Sequence, residues 1–78
     1  MNIYFSKEIS EEESIAIEAK TGMIYASKDE LLKICHFFDR VKSHLENYDN
    51  CHMHLQDNFE GWEENKNFDL EVNLIESE

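Results

Sequence analysis

The sequence predicts an α+β fold: an antiparallel sheet of four to five strands with one long helix packed on one face, in the order β-β-β-α-β-β. Three observations carry this. One stretch, residues 28–46, repeats its apolar residues at helical spacing behind a capping signal. Runs on both sides of it alternate apolar and polar residues with a period of two. No proline interrupts any of them.

The elements follow in order along the chain. Asn2–Ser6 (NIYFS) places Ile3 and Phe5 on one side and reads as a short strand. Lys7–Glu13 is polar, holds the run Glu11-Glu12-Glu13, and reads as a loop. Ser14–Ala19 alternates again, with Ile15 and Ile17 opposed to Ser14, Ala16 and Glu18. Thr21-Gly22 marks a turn, after which Met23–Ala26 is expected to pair back as a hairpin arm. Ser27-Lys28-Asp29-Glu30 fits the capping box, in which a Ser hydroxyl and a Glu carboxylate satisfy free N–H groups at a helix start. Behind it, Leu31, Ile34, Cys35, Phe38, Val41 and Leu45 form the expected buried stripe of a helix ending near Asn47. Cys51–Gln56 sets Cys51, Met53 and Leu55 against His52, His54 and Gln56, a strand with one apolar face. Asp57–Asn67 is an acidic loop containing Gly61, and Phe68–Ile75 is the last strand. The solvated sheet face is then expected to carry Glu18, His52, His54, Gln56, Asp69, Glu71 and Asn73.

Seventy-eight residues make one domain, 1–78, and 41% apolar residues with nine aromatics suffice for one core. The net charge of −11 is unevenly placed. Residues 1–46 hold nine acids and six bases, whereas residues 47–78 hold nine acids and only Lys66. Such a chain is not expected to bind nucleic acid directly, because phosphate recognition rests on Lys and Arg. It suits a basic partner drawn in by long-range attraction. A bland alternative is a solvated surface that keeps a small protein soluble. The N-terminus lacks the pattern of a signal peptide and no run reaches the roughly 18 apolar residues of a membrane span, so a cytoplasmic location is expected. Cys35 and Cys51 are accordingly expected to be reduced and buried, with no CxxC spacing.

Four patterns bear on chemistry. His52 and His54 point to one strand face and would reach one ion, with Asp57 or Glu71 supplying oxygen, but two histidines make half a site; the reading taken has no metal and no cofactor. Cysteine catalysis is disfavoured by burial and by the surrounding acids. Paired carboxylates need a concave pocket that one helix and one sheet scarcely enclose. Trp62, within Glu60-Gly61-Trp62-Glu63-Glu64, either folds back over the sheet edge or stands out as an aromatic anchor ringed by acids.

The run His52-Met53-His54-Leu55, then Gly61-Trp62, then Asp69-Leu70-Glu71-Val72 resembles the C-terminal half of small bacterial immunity proteins of the Imm32-like kind, over roughly residues 27–75. The loop before Phe68 is more acidic than in that type. The resemblance implies a non-enzymatic, cytoplasmic protein that binds and neutralises a cognate toxin domain of a polymorphic-toxin or contact-dependent growth inhibition system, often a nuclease. On that reading His52, His54 and Glu71 of the sheet face, with Asp57, Glu60, Trp62, Glu63 and Glu64 of the loop, cover the toxin's active cleft. Trp62 anchors and the acids steer. The chain would be a monomer or weak dimer without a membrane partner. The alternatives are a small metal-binding protein using His52 and His54, and an accessory module that dimerises through sheet edges.

Overall fold

The computed structural model describes residues 1–6 and 16–75. The chain runs β1 (Ile3–Phe5), β2 (Ile17–Ala19), α1 (Lys28–Asn47), β3 (His52–His54), a 3₁₀ turn (Leu55–Asn58) and β4 (Glu71–Asn73). The class is α+β with one long helix, as expected. Its strands do not merge into one sheet: β1 pairs with β2 and β3 with β4, both antiparallel, as two separate ribbons. The acidic loop at Lys7–Glu13 and the start of the second predicted strand lie outside the described residues.

The helix is set by its cap. Ser27 Oγ accepts from the Glu30 N–H at 3.2 Å, and Glu30 Oε1 accepts from the Ser27 N–H at 3.0 Å. The backbone N–H of Ser27, and its hydroxyl, hold the Glu30 carboxyl below the ordinary carboxylate value. At the other end Tyr48 N–H closes the last turn on the His44 carbonyl.

The helix is turned relative to the expected stripe. Ile34, Phe37 and Val41 are buried, whereas Leu31, Cys35, Phe38 and Leu45 are exposed. Phe37, not Phe38, is the core phenylalanine, at 0% exposure against 46%. Cys35 therefore departs from the expectation of burial, while Cys51 meets it. The cause is where the second half of the chain settles. Cys51, Leu55 and Phe59 close on Ile34, Phe37 and Val41, and Met53, Trp62, Leu70 and Val72 pack around them. That leaves Leu31, Phe38 and Leu45, spaced at seven-residue intervals along one side of the helix, uncovered.

The β3–β4 ribbon is longer in hydrogen bonds than its three-residue strands. His52, Met53 and His54 face Asn73, Val72 and Glu71. Leu74 N–H donates to Cys51 O at 2.9 Å and Leu55 N–H to Leu70 O at 2.8 Å, in the same register. The predicted alternation holds along 51–55, where Cys51 and Leu55 are buried and Met53 half-buried on one face, but of the predicted inward residues of the last strand only Leu70 and Val72 are half-buried, and Phe68 and Leu74 are exposed.

The N-terminal ribbon pairs Ile3 with Ala19, Tyr4 with Glu18 and Phe5 with Ile17. Its apolar residues stay open, with Ile3, Phe5 and Ile17 all exposed. Among the described residues the strands therefore form two ribbons rather than one sheet, and a three-residue ribbon has little apolar area with which to join the β3–β4 core. Met23–Ala26 is not a strand, and β2 pairs with β1 alone among the described residues. Gly22 lies against the Phe5 ring, and a Cβ there would come within 2.6 Å of its tip. Among the described residues no helix is long and apolar enough to cross a membrane.

Candidate functional site

The residues picked from the sequence fall into two groups. The first sits on the polar face of the β3–β4 ribbon. His52 and His54 are two apart on β3 and so share a face, and the antiparallel register sets Glu71 directly across from His54 and Asn73 across from His52. The second group lies on the segment that leaves the ribbon. Asp57, Glu60, Glu63 and Glu64 are all exposed there.

The ribbon face is closely built. His54 Nδ1 lies 2.7 Å from Asp69 Oδ2, and Asp69 Oδ1 accepts from Gln56 N–H at 2.9 Å. His52 Nδ1 bonds to Asn73 Oδ1. The Asn73 amide in turn donates to Glu71 Oε2 at 2.8 Å. The remaining ring nitrogens converge: His54 Nε2 is 3.2 Å from His52 Nε2 and 3.3 Å from Glu71 Oε1. The ring planes stand at 78°, edge to face. The hydrogen bond from His54 to Asp69 raises the imidazole pKa above its ordinary 6.5, burial opposes this, and the charges of Asp69, Glu71 and Asp57 add to the rise. His54 is half-buried rather than fully outward, as is Asp69, while His52 and Glu71 are exposed.

The acidic segment is held by Trp62. Its indole N–H donates to Phe68 O at 2.9 Å, its backbone N–H to Phe59 O at 3.2 Å, and the ring packs against the core. Of the two expectations for this residue, folding back is the one observed; Trp62 is half-buried and fastens the loop. Gly61, at φ +75°, makes the left-handed turn that begins the loop. Glu63 N–H donates to Asn67 Oδ1 at 2.9 Å, and its carboxylate pairs with Lys66 at 3.1 Å. Glu60 gives its backbone carbonyl to Lys33 Nζ at 3.2 Å and leaves its carboxylate outward.

Between α1 and the 3₁₀ turn runs an open groove of about 580 Å³ whose walls include Lys33, Arg40, Asp57 and Glu60. Its cations are engaged: Arg40 donates to Asn58 Oδ1 at 3.1 Å and Lys33 pairs with Asp29 at 3.4 Å. Cys51 is buried in the core, remote in character from the exposed, electropositive setting a nucleophilic thiolate requires.

Sequence reasoning placed Asp69, Asn73 and Gln56 on the solvated face without giving them a role. The structure makes Asp69 and Asn73 the groups that orient both histidines. Their signal was present in the alternation Asp69-x-Glu71-x-Asn73, but pairing them with His54 and His52 needs the register of β3 on β4. No protein-family model, no curated protein and no solved structure matches this chain.

Proposed function

We propose that this chain is a non-enzymatic inhibitor of the immunity type: a cytoplasmic acidic protein that binds a basic toxin domain, a nuclease, and covers its active cleft. The observation that carries the reading is the charge of residues 47–78, nine acids against Lys66, with Asp57, Glu60, Glu63 and Glu64 all exposed on one short segment. A nuclease holds its substrate through cationic side chains, and carboxylates presented on a fastened loop would occupy the places of phosphates. Trp62 then serves as the loop's fastening, and the acids make the contacts.

The test is co-expression with the toxin domain encoded beside this gene. Wild type should protect the cell, and the quadruple variant Asp57→Asn, Glu60→Gln, Glu63→Gln, Glu64→Gln should not. The association rate should fall at least tenfold when salt shortens the screening length from about 10 Å at 0.1 M to about 3 Å at 1 M. Protection by the neutralised variant, or a flat salt response, would sink the proposal.

A second reading, pairing with another copy of the chain, is favoured by Leu31, Phe38 and Leu45, each more than 40% exposed along one side of the helix. Light scattering over a hundredfold concentration range checks it, since a constant monomer mass rules it out.

A further inference from the structure

We propose that His52, His54 and Glu71 form a three-ligand site for a zinc-like divalent transition metal, with its fourth position open to solvent. The partners of the two rings fix where their protons lie. Asp69 Oδ2 and Asn73 Oδ1 are acceptors, so the Nδ1 atoms of His54 and His52 that face them carry hydrogen. In the neutral rings both Nε2 atoms are then bare lone pairs. They point at one another across 3.2 Å, and Glu71 Oε1, also an acceptor, stands 3.3 Å from one of them. One ligand atom from each of His52, His54 and Glu71 lies within 4.8 Å of the other two. Three converging acceptors repel unless a cation sits among them.

In the metal-free protein a proton on His54 relieves this only in part. On His54 Nε2 it would be shared between partners at 3.2 and 3.3 Å, whereas a charge-assisted N–H···O⁻ bond closes to about 2.7–2.9 Å. A metal answers it well. Ligands roughly 2.0–2.1 Å from a tetrahedral zinc sit about 3.3–3.4 Å apart, close to both separations found here. Two imidazoles and one carboxylate are a donor set that zinc and its neighbours accept.

The outer partners support the same reading. Metal-bound histidines hand their other N–H to a carboxylate or carbonyl that sets the tautomer and the ring orientation. His54 has Asp69, itself fixed by Gln56 N–H. His52 has Asn73, whose amide also holds Glu71 Oε2 and leaves Oε1 free. Each of the three ligands is thus oriented by a side chain from β4 or its approach. With His52 and Glu71 exposed, the remaining coordination position faces water, the arrangement of sites that keep a place for an exchangeable ligand. None of this depends on the inhibitor reading, and either can fail alone.

The experiment is a titration of chelator-treated full-length protein with Zn²⁺ by calorimetry, repeated with Co²⁺ while following visible absorption. One ion per chain is expected, with the intense bands of four-coordinate Co²⁺. His52→Ala and Glu71→Gln, both at exposed positions, should each weaken binding at least tenfold with an unchanged circular dichroism spectrum. Asp69→Asn should weaken it roughly 10–100-fold. Absence of 1:1 uptake overturns the proposal, as does wild-type affinity in both His52→Ala and Glu71→Gln, which would put the ion elsewhere on the chain.

Discussion

Asp69 is the residue whose loss should be felt most widely for its size. Its two oxygens accept from different partners, His54 Nδ1–H at 2.7 Å and Gln56 N–H at 2.9 Å, and the side chain is only 15% exposed. Asp69→Ala removes both bonds. Hydrogen bonds to charged groups contribute about 1.5–3 kcal/mol each, and the orphaned donors must find water. Gln56 N–H and His54 lie close enough to solvent to recover part of this, which brings the expected loss to about 2–3 kcal/mol. A domain of this length holds roughly 4–12 kcal/mol in all.

The assay is urea unfolding of metal-free protein at pH 6, followed by fluorescence of Trp62, the sole tryptophan, which packs on the core. With a slope near 1 kcal/mol/M, the midpoint should fall by about 2–3 M. Asp69→Asn keeps one acceptor oxygen but turns a donor toward the other partner, so it should lie between Ala and wild type. A loss below about 0.5 kcal/mol for Asp69→Ala would refute the account, because it would mean that neither bond persists in solution.

Three further outcomes are expected. Phe37→Ala should cost about 3–5 kcal/mol by the same unfolding assay and Phe38→Ala under about 1 kcal/mol, since only the first leaves a cavity in a closed core; equal losses would mean the helix is turned otherwise. In metal-free protein His54 should make stability depend on pH. Its folded pKa lies above the ordinary 6.5, so its contribution is fully present below 6.5 and is lost as pH rises through the folded value. Thermal midpoints measured upward from pH 6 should therefore fall in wild type, and His54→Gln should flatten that part of the profile. Ser27→Ala should cost about 1 kcal/mol by removing the hydroxyl that receives Glu30 N–H, and Ser27→Asp, which restores an acceptor, should recover most of it by urea midpoint.

The helix was legible because its signals are local. Ser27 and Glu30 bond to each other's backbone over three residues, and nothing distant is needed to place them. The phase of the helix was not. Phe37 and Phe38 are adjacent, their ring centroids are 5.2 Å apart, and either lies near the edge of the same apolar stripe. Which one is buried depends on where Leu55 and Phe59 land, and the 3₁₀ turn at Leu55–Asn58 that puts them there has no marker of period two or 3.6. The described strands pair as two ribbons rather than one sheet for a related reason. Alternation identifies strands one at a time, whereas merging β1–β2 with β3–β4 requires enough buried area between them, and Ile3, Phe5 and Ile17 do not supply it.

The candidate site shows the same boundary at finer grain. Period two put His52 and His54 on one face and Asp69, Glu71 and Asn73 on another strand's matching face, which is all that a pattern along one strand can say. The chemistry appears only when residues 52 and 54 are set against 73 and 71. A shift of β4 by two residues that set Asp69 opposite His54 would keep the apolar residues on one face, yet it would change the carboxylate opposite His54 and part His52 from Asn73. Register, set by Cys51 with Leu74 at one end and Leu55 with Leu70 at the other, is therefore what brings His52, His54 and Glu71 together as three converging acceptors. The paired ends of the ribbon and the polar face between them are one device: substitutions at Leu55 or Leu70 that loosen the ladder should disturb the histidine pair without touching it.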